Sequence, residues 1–330
     1  MNVRERFHAV MNFEKPDRLP MIEWASWWWD TLERWQGEGL PSIRDRYDLY
    51  RYFGMDLYHQ AWIYRDRPGM PQPSHHGAGV VANEADYEKA LPYLYPAMKE
   101  DIVFNREQWK TWTAIQEKGE CVNWITLEGF FWIPRLLMGI EPHLYAFYDQ
   151  TELMHRINRD VAEWHLKTID EICAIGTPDF MTFAEDMSYN NGPMISEEVF
   201  DEFLLPYYHM VVPELKRRGI RVIIDSDGDI TRAVPWFERA GIEGILPLER
   251  QAGVDLAVIR RNHPAMCFIG HFDKMVMPKG EAAMRAEFER LLPLMRSGGF
   301  IPSVDHQTPP GVSYENYRIY LALLQEYIHV

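Results

Sequence analysis

Residues 221–230 read Arg221-Val222-Ile223-Ile224-Asp225-Ser226-Asp227-Gly228-Asp229-Ile230, and this stretch decides the fold. Its apolar core does not alternate with polar residues, which is how a strand buried on both faces reads, and such strands belong to parallel sheets covered by helices. Upstream, residues 196–218 carry helical spacing and end at Gly219, where a left-handed residue closes a helix. Downstream, residues 230–240 read as the next helix, ended by Gly241. One strand flanked by two helices is the unit of an α/β fold.

Working outward, the same pattern predicts strands at 19–23, 55–61, 122–127, 179–183, 221–224, 244–248, 266–269 and 300–303. Helices are expected at 2–12, 152–175, 196–218, 230–240, 254–262 and 281–295. Ser196, followed by Glu197 and Glu198, has the chemistry of a helix N-cap with acids near the positive end of the dipole. Eight strands alternating with helices through right-handed crossovers predict a single (β/α)8 TIM barrel with an N-terminal helix, spanning residues 1–330 as one domain. Residues 63–120, between the second and third strands, are too many for a simple crossover. With the Pro- and Gly-rich run 68–79 and a helical piece at 84–91, they read as an insertion and candidate lid.

Composition sets the outer limits. The chain has 330 residues, and 47% hydrophobic and 14% aromatic content is enough for a large core. A net charge of −15 argues against nucleic acid, whose binding draws on clustered Lys and Arg. Cys121, Cys173 and Cys267 lack metal or disulfide spacing and read as small core residues. Without an apolar leader or membrane-spanning run, the expected location is cytoplasmic, with no membrane partner.

In barrels of this type, chemistry sits at the carboxyl ends of the strands. Those ends carry Glu23, His59, Glu128, Glu185 and Asp186, Asp225 and Asp227, Glu249, His271 and Asp273, and Asp305 with His306. So many titratable groups at one face cost stability through repulsion, so a role in a site is the better account of them. Asp227 or Asp229 has an ordinary reading as cap of the next helix, and His75 and His76 read as exposed residues of the insertion. Asp225, Asp227 and His306 make a mixed oxygen and nitrogen set suited to zinc or another divalent metal, with Glu185 or His271 completing it. Glu23, Trp27, His59, Tyr189, Asn190 and His271 are candidates for binding substrate, and the tryptophans of 24–35 and aromatics of 129–134 for packing it.

Several segments resemble the uroporphyrinogen decarboxylase superfamily: RERFHAVMNFEKPDRLPMIE at 4–23, the long stretch 185–219, IIDSDGDI at 223–230, GIEGILPLE at 241–249, and 298–317. The resemblance implies an enzyme on a TIM barrel, and a homodimer as its assembly. The decarboxylases of that superfamily hold an acidic tetrapyrrole with arginines after the first strand, where this chain has WASWWWDTLERW at 24–35. The branch it resembles more is that of cobalamin-dependent methyltransferases, whose zinc ligands fall on Asp225, Asp227 and His306, with all three residue types changed. The leading expectation is a corrinoid-linked methyltransferase for a small methoxylated or methylamine substrate. Asp225, Asp227, His306 and Glu185 would be its catalytic groups, and cobalamin would be carried by a separate corrinoid protein. The alternatives are a cofactor-free decarboxylase, with Arg65 and Arg67 holding substrate carboxylates, and a non-catalytic binding barrel.

Overall fold

The structure is a computed structural model describing residues 1–100 and 104–330; the insertion read at 63–120 therefore includes three residues outside the description. Nine strands are present among the described residues: β1 (Leu57–Trp62), β2 (Cys121–Glu128), β3 (Phe180–Ala184), β4 (Ser188–Tyr189), β5 (Gly192–Pro193), β6 (Arg221–Asp225), β7 (Gly244–Leu246), β8 (Cys267–Phe272) and β9 (Phe300–Val304). Strands β4 and β5 form a small antiparallel hairpin, and the other seven form one curled sheet in the order β1-β2-β3-β6-β7-β8-β9. Every pairing in that sheet is parallel. Strands β2, β3, β8 and β9 are buried along their whole length, as their unbroken apolar runs predict.

The eighth expected strand is not formed. Residues 19–23 run extended through the gap between the two edges of the sheet without joining a ladder. The amide of Asp56 donates to the carbonyl of Met21 at 2.9 Å, next to β1. On the other side, the Glu23 carboxylate accepts from Ser303 Oγ at 2.8 Å and from the Val304 amide at 3.3 Å, both on β9. Pro20 has no amide proton to give, and a side chain takes the β9 amide that a strand's carbonyl would need. The shell is thus a seven-stranded curled sheet with a side-chain seam, not the closed eight-stranded barrel.

Helix Val3–Met11 closes the amino end of the sheet, with Phe7 between Tyr58 and Phe180 at ring distances of 5.8 and 5.1 Å. The helix expected at 196–218 is two, Glu197–Phe203 and Leu205–Arg217, because Pro206 cannot extend the preceding turn. Ser196 caps the first, accepting from the Val199 amide. A helix unforeseen in the sequence, Arg106–Gln116, packs Trp109 and Trp112 inward and makes the crossover from β1 to β2. The segment before it is fixed to the flank of helix Thr151–Cys173, where Tyr87 donates to Asp160 and Trp164 to the carbonyl of Pro96.

Candidate active site at the carboxyl ends of the strands

Asp225 ends β6, and Asp227 follows it by two residues. Across the sheet Ala184 of β3 pairs with Asp225, which puts Asp186 on the same side. One carboxylate oxygen from each of Asp186, Asp225 and Asp227 lies within 4.8 Å of the others. The loop is held tightly. The Asp227 amide donates to Asp186 at 3.1 Å and the Gly228 amide to Glu249 at 3.3 Å. Gly228, at φ +83°, lies so near the hairpin that a Cβ would stand 2.7 Å from the Tyr189 amide nitrogen, so only glycine fits. The helix-capping role weighed for this loop is filled by neither aspartate: the next helix, Val234–Arg239, starts after Ala233 without a side-chain cap, and Asp229 closes a turn ahead of it by accepting from the Thr231 amide at 3.0 Å.

The electrostatics follow from crowding. Burial pushes Asp225 well above the carboxylate range, with Asp186, Asp227 and Glu249 adding repulsion. Burial, Asp186 and Glu249 likewise push Asp227 up to about 8. Asp186 is also raised by burial, against the amide of Asp227 and the charge of Arg135. Lys274 stands between Glu249 and Asp305, at 3.2 and 3.4 Å, and is therefore committed to them. His306 lies beside the trio, its Nε2 3.6 Å from Asp227 Oδ2 and its ring edge-on to Trp24; burial lowers its pKa.

The structure gathers some expected site residues and disperses others. Asp225, Asp227 and His306 come together, and Tyr189 and Asn190 are exposed on the hairpin at the rim. Glu185 is fully buried and turned away. Its carboxylate accepts from the amides of Phe131 (2.9 Å) and Trp132 (3.1 Å) and from Tyr208 Oη (2.6 Å), and burial raises its pKa to about 7. It therefore anchors helix Trp132–Met138 instead of joining the trio. His271 lies inside β8, its Nδ1 donating to the Leu248 carbonyl and its Nε2 accepting from Arg290, and burial takes it down to about 3. A ligand role is thereby ruled out for its Nδ1, which faces a carbonyl at 2.8 Å.

Glu23 belongs to the seam, with Tyr317 as its third partner at 3.2 Å, and burial raises it to about 7. Trp27 is packed among Tyr50, Phe53 and Tyr317. His59 points outward, stacked on Trp112 at 4.5 Å and bonded to Asn123, with burial lowering it to about 4. These three serve packing. Arg65 and Arg67 are likewise committed, Arg65 to Glu128 and Asp66, and Arg67 to both oxygens of Glu100 at 2.9 Å.

Asp186, Lys274 and Arg135 are the site groups that sequence reasoning did not select. The parity that selects Asp186 over Glu185 comes from the β3–β6 register, in which Ala184 pairs with Asp225, and the sequence alone does not carry that register. A cleft of about 540 Å³ lies at the opposite end of the sheet, lined by Arg4, Glu5, His8 and Gln116 among others. Its Arg4, His8 and Gln116 all bind the buried Asp179, a structural duty.

The family model for uroporphyrinogen decarboxylase matches residues 131–327, more than half of the chain. The chain belongs to this family. No curated protein gives a significant sequence match. Among solved structures, a methyltransferase from Methanosarcina mazei superposes with a TM-score of 0.66 over 99% of both chains, at 15% identity. At that identity the likeness establishes a shared fold. A B12-independent methionine synthase from a Shewanella species (TM-score 0.43, 12% identity, 67% of this chain and 64% of that one) is also similar. So is a putative B12-independent methionine synthase from Listeria monocytogenes (0.49, 10% identity, 95% and 99%), but at such scores neither adds to the argument. Within the family fold, the acidic trio occupies the carboxyl face where barrel chemistry is done.

Proposed function

We propose that this member of the uroporphyrinogen decarboxylase family is a methyltransferase of the corrinoid-linked type, drawing the methyl group from a small methoxylated or methylamine substrate. The observation that carries the reading is the convergence of Asp186, Asp225 and Asp227 within 4.8 Å at the carboxyl face. Three half-buried carboxylates so close repel one another unless a cation or protons intervene. Their donor chemistry, all oxygen, fits a hard or borderline divalent ion such as manganese or zinc, and His306 is near enough to Asp227 to support it. A thiolate-loving site is not what these residues make.

A divalent ion held there supplies Lewis acidity toward the heteroatom that carries the methyl group. The chain's own part is to position that heteroatom and manage its proton. His306 stands 3.6 Å from Asp227 at the mouth, so with the aspartates holding the ion a proton released or needed by the departing heteroatom would have the imidazole as its adjacent carrier. Trp24 backs His306, and the exposed Trp28, Trp29, Tyr64 and Tyr189 give the rim an apolar character suited to a corrinoid protein docking over the mouth.

The decarboxylase alternative asks for free arginines. The two arginines considered for it, Arg65 and Arg67, are paired with acids of the chain itself, so neither is free to hold a substrate carboxylate. Elemental analysis of the purified protein tests the proposal: one equivalent of divalent metal, lost in Asp225→Ala, together with methyl transfer to a supplied corrinoid protein, is expected. A wild-type protein that is folded, metal-free after metal supplementation, and inactive in that transfer sinks it.

A further inference from the structure

Arg135 is the cation at this mouth that the reading above leaves without work. It lies on helix Trp132–Met138, directly after β2, with its guanidinium 4.5 Å over the Trp132 ring. Its Nε is buried and bonded to nothing among the described residues. No carboxylate there pairs with it, and the acid whose charge reaches it is Asp186. The other titratable neighbour, His143, is fully buried and kept neutral by burial and by Arg135 itself. Burial lowers the pKa of Arg135 with only Asp186 to offset it. A half-buried guanidinium without a partner is costly, and the cost is relieved when an anion arrives.

The geometry also says what kind of anion. A guanidinium offers parallel N–H donors in a plane, and its matching partner is a group with two coplanar oxygens, a carboxylate. Trp132 fixes that plane from one side. The helix itself is pinned by Glu185 through the Phe131 and Trp132 amides, so Arg135 is presented in place before any ligand comes. Gly129 is what lets Glu185 reach them, since a Cβ at that position would meet its Oε2 at 1.9 Å.

We propose that Arg135 is the specificity-determining residue of the site and binds a carboxylate of the substrate, so that the methylated substrate is a carboxylic acid whose methyl-bearing heteroatom reaches the Asp186–Asp225–Asp227 centre. The inference rests on the methyltransferase reading for the second half of that statement and on Arg135 alone for the first. Glu185 acts as a positioning residue through the helix.

The test is a binding titration, followed by tryptophan fluorescence and calorimetry, with para-methoxybenzoate and its uncharged amide, para-methoxybenzamide. Wild-type protein is expected to prefer the acid by roughly tenfold or more, a preference abolished in Arg135→Gln and reduced in Arg135→Lys. Arg135→Lys, the smaller change, carries the comparison if the neutral variant does not fold. Equal binding of acid and amide by wild-type protein, binding of neither, or an undiminished preference in the variants overturns the proposal. Failure of the methyltransferase reading is seen separately, in metal content and methyl transfer, because the titration measures binding only.

Discussion

Nε2 of His306 lies 3.6 Å from Oδ2 of Asp227, joining the end of β9 to the loop after β6 across the mouth. Burial first, and then the charges of Asp186 and Glu249, lift Asp227 to about 8, while burial lowers His306. Near neutrality and without a cation, the proton of this pair rests on the carboxyl.

That placement gives the metal-free protein a characteristic pH dependence. The folded Asp227 holds its proton more tightly than the unfolded one, so its contribution is complete below the ordinary carboxylate range and disappears as pH rises toward about 8. Glu23 and Glu185, both lifted to about 7 by burial, act in the same sense. His271, held neutral at about 3 by burial, acts oppositely, and its contribution is lost as pH falls below the usual histidine value. Thermal melts in chelator should therefore show lower stability at about pH 8 than at about pH 6. Asp227→Asn should flatten that slope and raise the melting temperature at the alkaline end by a few degrees, corresponding to about 1 kcal/mol. A slope unchanged by the substitution would contradict the assignment.

Metal affinity should run the other way. A cation competes with the protons on Asp225 and Asp227, so manganese or zinc binding, followed by calorimetry, should tighten by about tenfold or more between about pH 6 and about pH 8. Asp186→Ala and Asp225→Ala should each abolish binding. His306→Ala should weaken it only severalfold, since Nε2 stands 3.6 Å from Asp227 and outside the tight trio. Loss of metal in His306→Ala equal to that in Asp225→Ala would instead make the histidine a ligand.

Glu185→Ala should cost roughly 3 kcal/mol in denaturant unfolding, because it orphans two amides and the Tyr208 hydroxyl in a buried place. Glu185→Gln keeps the size and should cost about half as much. In both, substrate binding should weaken more than turnover falls, since the helix that moves carries Arg135. A turnover loss with unaltered binding would return Glu185 to a direct catalytic role.

The strands were legible because burial on both faces leaves a one-letter signature, and seven runs such as 221–224 and 300–303 reappear within a few residues of their expected ends. The run 19–23 carries the same apolar signature, yet closure there depends on Pro20 and on which atom takes the Val304 amide, and periodicity does not encode that. At the site, residue type and strand end located Asp225, Asp227 and His306. They do not distinguish an acid that faces the mouth from its neighbour that faces a helix, so Glu185 stands out where Asp186 belongs, and Glu23, His59 and His271 resemble pocket residues although each is satisfied elsewhere. The facing of a side chain one or two residues past a strand depends on how the loop turns, which is set by contacts distant in sequence.

Asp179, at the amino end of β3, gathers Arg4, His8, Gln116 and the Asn123 amide at 2.6 to 3.0 Å. Burial alone would raise its pKa, but the bonds from His8 and Arg4 prevail and lower it. Asp179→Ala should lower global stability by about 3 kcal/mol while leaving metal content at the opposite end intact. Parallel melting and elemental analysis of one variant check both halves.

The segment that carries Glu23 has a mechanical consequence. A shell stitched by backbone ladders all round opens only by tearing one of them, whereas here one join is made by a carboxylate, a serine and a tyrosine. Local opening begins where the fewest backbone bonds must break. The tryptophan-bearing segment after Glu23 is fastened in the same manner, Trp24 Nε1 to the Val304 carbonyl at 2.8 Å and Trp35 Nε1 to the Val312 carbonyl at 2.9 Å, while the seven ladder-bound strands keep the three aspartates in register. The weakest join of the wall and the rigidity of its chemistry are thereby assigned to different parts of it.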